Sequence, residues 1–107
     1  MTDLLHITER AAWDAARLSG SYEVSTLGRT LRDEGFIHCS LPHQLRDVAE
    51  ALYGDVPRDD LVVLLIDSER LTAPVRYEVA EPGAEEFPHI YGPVPLDAVV
   101  RVEPWRG

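Results

Sequence analysis

The stretch Gly35-Phe36-Ile37-His38-Cys39-Ser40 sets the tightest limit on the fold. It is short and mostly apolar, a turn glycine opens it, and Pro42 follows two residues after it, which suits a core strand. Successive side chains of a strand point to opposite faces. Ile37, Cys39 and Leu41 are therefore expected in a core, with Phe36, His38 and Ser40 on the other surface. An imidazole and a hydroxyl then lie side by side, so the strand carries chemistry on one face. A second constraint is the unbroken apolar run Leu61-Val62-Val63-Leu64-Leu65-Ile66. Its length and residue types place it at the centre of a sheet, covered on both sides.

The rest of the chain is arranged around these two segments. Asp3 to Thr8 reads as a short strand with Leu4, His6 and Thr8 on one face. Thr8 fits as the N-cap of an alanine-rich helix from Glu9 to Leu18, ended by Ser19-Gly20. Between Ser21 and Gly35 there is no clean period: Tyr22 and Val24 suit a brief extended piece, and Gly28 to Glu34 a surface loop. Ser40-Leu41-Pro42 reads as a helix start. Leu41, Leu45, Val48, Ala49 and Leu52 then keep the helical period until Gly54. Val75, Tyr77 and Val79 are expected on a buried strand face, with Arg76 and Glu78 opposite. Phe87 to Pro93 is rich in proline and reads as an edge segment or rigid loop. Ala98 to Glu103 is the final strand, with Val100 and Val102 on one face.

Size and charge narrow the function. The 107 residues form one domain, with a single core. Ten basic against nineteen acidic residues give a formal charge of -9. Such a surface repels a phosphate backbone, which makes nucleic acid an unlikely partner. The single cysteine cannot form an internal disulfide, and no cationic start with an apolar run and cleavage site is present, so the cytoplasm is the expected compartment. No apolar segment approaches the roughly 20 residues a membrane span needs.

Three of the four histidines are followed two positions later by a hydroxyl residue: His6 by Thr8, His38 by Ser40, and His89 by Tyr91. In extended structure each pair shares a face, so three segments can bring an imidazole and a hydroxyl to one cleft. Such a cleft suits proton transfer or the binding of a hydroxylated ligand. Glu78, on the polar face of its strand, is the best-placed carboxylate. Each of these residues also has a plainer role. A histidine near a strand end is often a structural donor, and Glu78 can be a solvated strand residue. His43 falls on the polar side of its helix, and Cys39 reads as a small core hydrophobe. The histidines lack the short spacing of metal motifs, and Ser40 lacks a nucleophile elbow. Glu81, Glu85 and Glu86 read as a solvated loop.

The segments LLHIT, GFIHCS, LVVLLIDSERL, VRYE and FPHIYGPVPLDAVVRVEP, in this order, resemble a family of small bacterial proteins that shares a domain of unknown function. The resemblance covers nearly the whole chain and implies an α+β, ADP-ribosyltransferase-like fold: two small, mainly antiparallel sheets around a cleft, with two main helices. The wider superfamily uses that cleft for NAD, and its RNA 2'-phosphotransferase branch is similar in the order of its HxT-like, HxS-like and LLID-like strands. By that resemblance His6 and Thr8 would meet the adenosine-side ribose or the nicotinamide amide. His38 and Ser40 would line the floor, and His89 and Tyr91 would close the site. The function so implied is NAD binding for ADP-ribosyl transfer or glycohydrolysis; the residues themselves, not an alignment with the superfamily's glutamate, offer Glu78 or a nearby carboxylate with His38 and His89 as the catalytic set. Two alternatives stand beside it: a non-catalytic module for a nucleotide-like metabolite or a protein, and a histidine-based, metal-dependent hydrolase.

Overall fold

The computed structural model describes residues 3–79 and 81–107. Its centre is β6 (Leu61–Asp67), flanked by β1 (Asp3–Glu9) and β10 (Val99–Pro104) in an antiparallel sheet of order β1-β6-β10. The uninterrupted apolar run has its physical reason here. Val62, Leu64 and Ile66 pack with Leu4, Tyr22, Ile37, Cys39 and Ile90 on one side. Leu61 and Val63 pack with Ile7 and with Leu45, Val48, Ala49 and Tyr53 on the other. Each fully buried aliphatic side chain contributes about 1.5–3 kcal/mol, so a strand buried on both faces is the most stabilising segment of the chain.

The first face is closed by α1 (Arg10–Ser19) and a second three-stranded antiparallel sheet of order β5-β8-β7. Its strands are β5 (Ile37–His38), β8 (Phe87–Ile90) and β7 (Val75–Glu78). The second face is closed by α3 (Leu45–Tyr53). Two smaller antiparallel pairs complete the fold. β2 (Ser21–Tyr22) pairs with β9 (Val94–Pro95), and β3 (Val24–Thr26) with β4 (Arg29–Thr30). The architecture is α+β with small antiparallel sheets.

The segment after β5 joins the two large sheets. Ile37 and His38 pair with Ile90 and His89, the Cys39 N–H donates to the Pro88 carbonyl at 2.9 Å, and Ser40 exchanges backbone bonds with Leu5 of β1 at 2.9 and 2.7 Å. Ile37 and Cys39 are buried, as their alternation requires.

Several local expectations are corrected. Thr8 is a buried strand residue opposite Val62, and the N-cap is Glu9, without a side-chain bond. The stretch read as a loop folds into β3, β4 and the one-turn α2 (Leu31–Glu34). Thr30 and Asp33 cap that turn reciprocally: Thr30 Oγ1 accepts from the Asp33 N–H at 3.2 Å, and Asp33 Oδ2 from the Thr30 N–H at 3.0 Å. Gly35 ends it at φ 86°, a conformation only glycine adopts without strain. α3 begins at Leu45, because Leu41 to Gln44 form a turn in which Gln44 Oε1 accepts the Leu41 N–H. Tyr53, in place of Leu52, completes its buried stripe. Tyr77 and Val79 are 43% exposed, because β7 is the outer strand of its sheet. Phe87 to Ile90 is the central strand of its sheet. Pro88 is tolerated there because it lies near the strand end and contributes its carbonyl.

Candidate functional site

The three histidine–hydroxyl pairs divide into two environments. His6 projects from β1 into the first core and is buried. Its Nδ1 lies 2.6 Å from the His38 carbonyl and its Nε2 2.6 Å from the Tyr22 hydroxyl. A carbonyl only accepts, so Nδ1 carries the proton and donates, and Nε2 accepts from the Tyr22 O–H. Both nitrogens are used within the protein. Burial holds the ring neutral, with its pKa lowered to about 4. Thr8, two residues on, is buried beside the Tyr22 and Tyr53 phenols. Ser40 is buried at the bridge to Leu5.

The other environment is one face of the β5-β8-β7 sheet. Register puts His38, His89 and Arg76 in a row across the three strands, with Phe87 and Glu78 paired in the next position. His89 Nδ1 donates to Glu78 Oε1 at 2.9 Å, and the Tyr91 hydroxyl donates to the same oxygen. These bonds, Tyr91 first and His89 second, hold the Glu78 carboxyl below its ordinary range, and in return the Tyr91 phenol is pushed up. Since Nδ1 donates, a neutral His89 presents an Nε2 lone pair on its far side. Phe36 stacks on the imidazole at 4.0 Å between centroids and 19° between planes. The Arg76 guanidinium lies over the Tyr91 ring, 5.3 Å from its centroid.

His38 joins this cluster from β5. Its ring centroid is 5.3 Å from His89 and 5.2 Å from Phe87. Partial burial, with a smaller effect of His89, lowers its pKa to about 4, so it is a neutral donor–acceptor at pH 7. The ring also forms part of an open groove of about 570 Å³ between Thr26, Leu27 and Arg29 of the β3–β4 hairpin and Ala51 and Leu52 of α3.

Glu78, His89, Tyr91 and His38 are thus brought together, while His6, Thr8 and Ser40 lie behind them in the core. The side chain of His6 reaches the cluster only through the backbone of His38. Phe36, Arg76 and Phe87 are constituents that the histidine spacing did not signal. Arg76 was legible from the same alternation that placed Glu78, whereas Phe36 and Phe87 needed the pairing of β5 with β8. His43 is exposed and pairs with Glu85 at 2.9 Å, and Gln44 also donates to Glu85, tying the acidic loop to α3. Cys39 is buried, and burial pushes its thiol far up. Among the described residues, no three His, Cys, Asp or Glu side chains are grouped so as to hold a metal ion. No helix is long and apolar enough to cross a membrane.

Fold and cluster together define a small α+β domain with a carboxylate–imidazole–phenol constellation on one face of a short sheet. The model of the family "Protein of unknown function (DUF952)" matches residues 7–102, and the chain belongs to that family. It is similar to protein CC0527 from Caulobacter crescentus. Against the crystal structure of that protein it is 33% identical with a TM-score of 0.73, over 94% of this chain and 83% of that one. Against the solution structure it is 32% identical with a TM-score of 0.74, over 97% and 84%. No curated protein matches.

Proposed function

We propose that the domain binds an NAD-type nucleotide on an ADP-ribosyltransferase-like architecture and performs glycosyl transfer or glycohydrolysis at the Glu78 cluster. The observation that carries this reading is the single oxygen of Glu78 that accepts from both Tyr91 and His89. The two donors keep the carboxylate ionised and fix its direction, as electrostatic stabilisation of a developing cation demands. When the ribosyl C–N bond breaks, its electron pair leaves with the nicotinamide nitrogen, and positive charge develops at the sugar. The Glu78 carboxylate opposes that charge. Water or an acceptor hydroxyl then bonds to the anomeric carbon and loses its proton to His89 Nε2. His38 binds a ribose hydroxyl, Phe36 and Phe87 offer aromatic surface to a base, and Arg76 offers a cation to a phosphate. The charge of -9 argues against RNA as the acceptor.

The stacking of Phe36 on His89 favours a second reading, a non-catalytic nucleotide-binding module, because one face of the imidazole is already covered. Calorimetric titration of NAD into the wild-type chain, with chromatography for released nicotinamide, separates the two. Saturable binding with release, lost in Glu78→Gln, supports the enzyme. Binding without release supports the module. No heat up to the millimolar range rejects both.

A further inference from the structure

The two edges of the central sheet are treated differently. β1 is closed on its outer side by the bridge from Leu5 to Ser40. β10 is the opposite edge, and among the described residues no strand pairs with its outer side. A bulge between Val99 and Arg101 disrupts the start of the strand, and from Arg101 to Pro104 its register with β6 is regular. That regular part carries Arg101 and Glu103 and ends in Pro104, with no proline or lysine before that position. Val100 and Val102 are 48% and 37% exposed. Beside the strand, an apolar groove of about 600 Å³ opens between Leu5, Val63 and Leu65 of the sheet, Leu45 of α3, and Trp105.

The charges on this edge are self-complementary. Arg101 and Glu103 pair with Leu65 and Val63, so they share the sheet face that carries the groove. If two copies of β10 run antiparallel about a two-fold axis at Val102, Arg101 of one lies opposite Glu103 of the other, twice. Val102 meets its own copy on the axis. Opposite charges directly across an antiparallel pair stabilise it, and like charges oppose it. Within one copy the two side chains pair with each other at 3.4 Å on an exposed surface, so exchanging them across the axis breaks no buried bond. A second copy also brings its own Arg101 and Glu103 towards the mouth of the groove.

We infer that the chain forms a two-fold dimer by edge-to-edge pairing of β10, which joins the two central sheets into one six-stranded sheet. The contact is short and falls at the small end of specific interfaces, so the dimer is weak and depends on concentration. The inference is independent of the ligand and of the polar cluster on the other sheet.

Sedimentation velocity of the full chain, from about 1 µM to about 1 mM, tests it. Reversible dimerisation is expected. Val102→Lys, which sets two ammonium groups together on the axis, is expected to weaken the dimer roughly tenfold or more while leaving the circular dichroism and melting temperature unchanged. Arg101→Glu and Glu103→Arg are each expected to weaken it roughly tenfold. Mixing those two variants restores association, because each then faces its opposite charge. A wild-type chain that stays monomeric to millimolar concentration overturns the inference. So does a dimer indifferent to Val102→Lys, or a mixture of the charge variants no tighter than either alone.

Discussion

His6 and His89 both sit two residues before a hydroxyl residue in an extended strand, yet their surroundings differ completely. His6 spends both nitrogens inside the core, on a carbonyl and a phenol. His89 spends one on Glu78, at the margin of the structure where the ring is 9% exposed and lies under Phe36. The contrast teaches that identical local spacing is compatible with a structural and a functional histidine. The decision is made by which sheet face the strand turns inward. β1 packs its histidine face against the second sheet, whereas β8 turns His89, only 9% exposed, under Phe36 and towards Glu78, and buries Ile90 on the other face.

Breaking the sealed side gives the largest effect. His6→Ala removes a buried ring and orphans both the His38 carbonyl and the Tyr22 hydroxyl, so urea unfolding is expected to show a loss of roughly 3–5 kcal/mol. Retention of wild-type stability would show that the junction is not needed. Acid acts on the same bond. Below pH 6.5 the unfolded His6 binds a proton that the folded ring, at about 4, refuses. Its contribution to stability is therefore complete above pH 6.5 and is lost as pH falls towards 4, by about 3 kcal/mol. His38, lowered for the same reason, adds in the same direction. In His6→Ala the slope of stability against pH across this window should shrink.

Milder changes sharpen the comparison. Tyr22→Phe keeps the ring but leaves His6 Nε2 without its donor, and about 1–2 kcal/mol is expected to be lost in the same unfolding assay. At the other site, Glu78→Gln is expected to leave the melting temperature and NAD binding essentially unchanged while abolishing nicotinamide release; a large drop in melting temperature would instead make Glu78 structural. The smallest effect is expected at Cys39, whose buried thiol should resist alkylation in the native chain and react only after denaturation, as read by mass shift.

Much of this was legible from residues alone where one physical rule dominates. The run from Leu61 to Ile66 could only be a doubly covered strand, and Ile37 with Cys39 could only face a core. The body of the helix Leu45–Tyr53 followed from its period, but neither its start at Leu45 nor the burial of Tyr53 in place of Leu52 did. Other features depend on long-range pairing. Pro88 argued for an edge, but β5 arrives from a distant part of the chain to flank it on the side opposite its sequence neighbour β7, and there Pro88 supplies its carbonyl to Cys39. Tyr77 alternates as a buried residue does and is exposed because β7 is an outer strand. The site was half readable for the same reason. Alternation placed Glu78 on the polar face, but only the register of β7 with β8 shows that His89 and Tyr91 meet it and that His6 does not.

The most direct test of the division is to follow the ring nitrogens of all four histidines by 15N magnetic resonance, across pH and with added NAD. The account predicts that His6 holds its proton on Nδ1, stays neutral down to about pH 4 and ignores NAD, whereas the His89 and His38 rings shift as NAD is added. A His6 that titrates near 6.5 like a free imidazole, or a titration with NAD that leaves His38 and His89 unmoved, would contradict it.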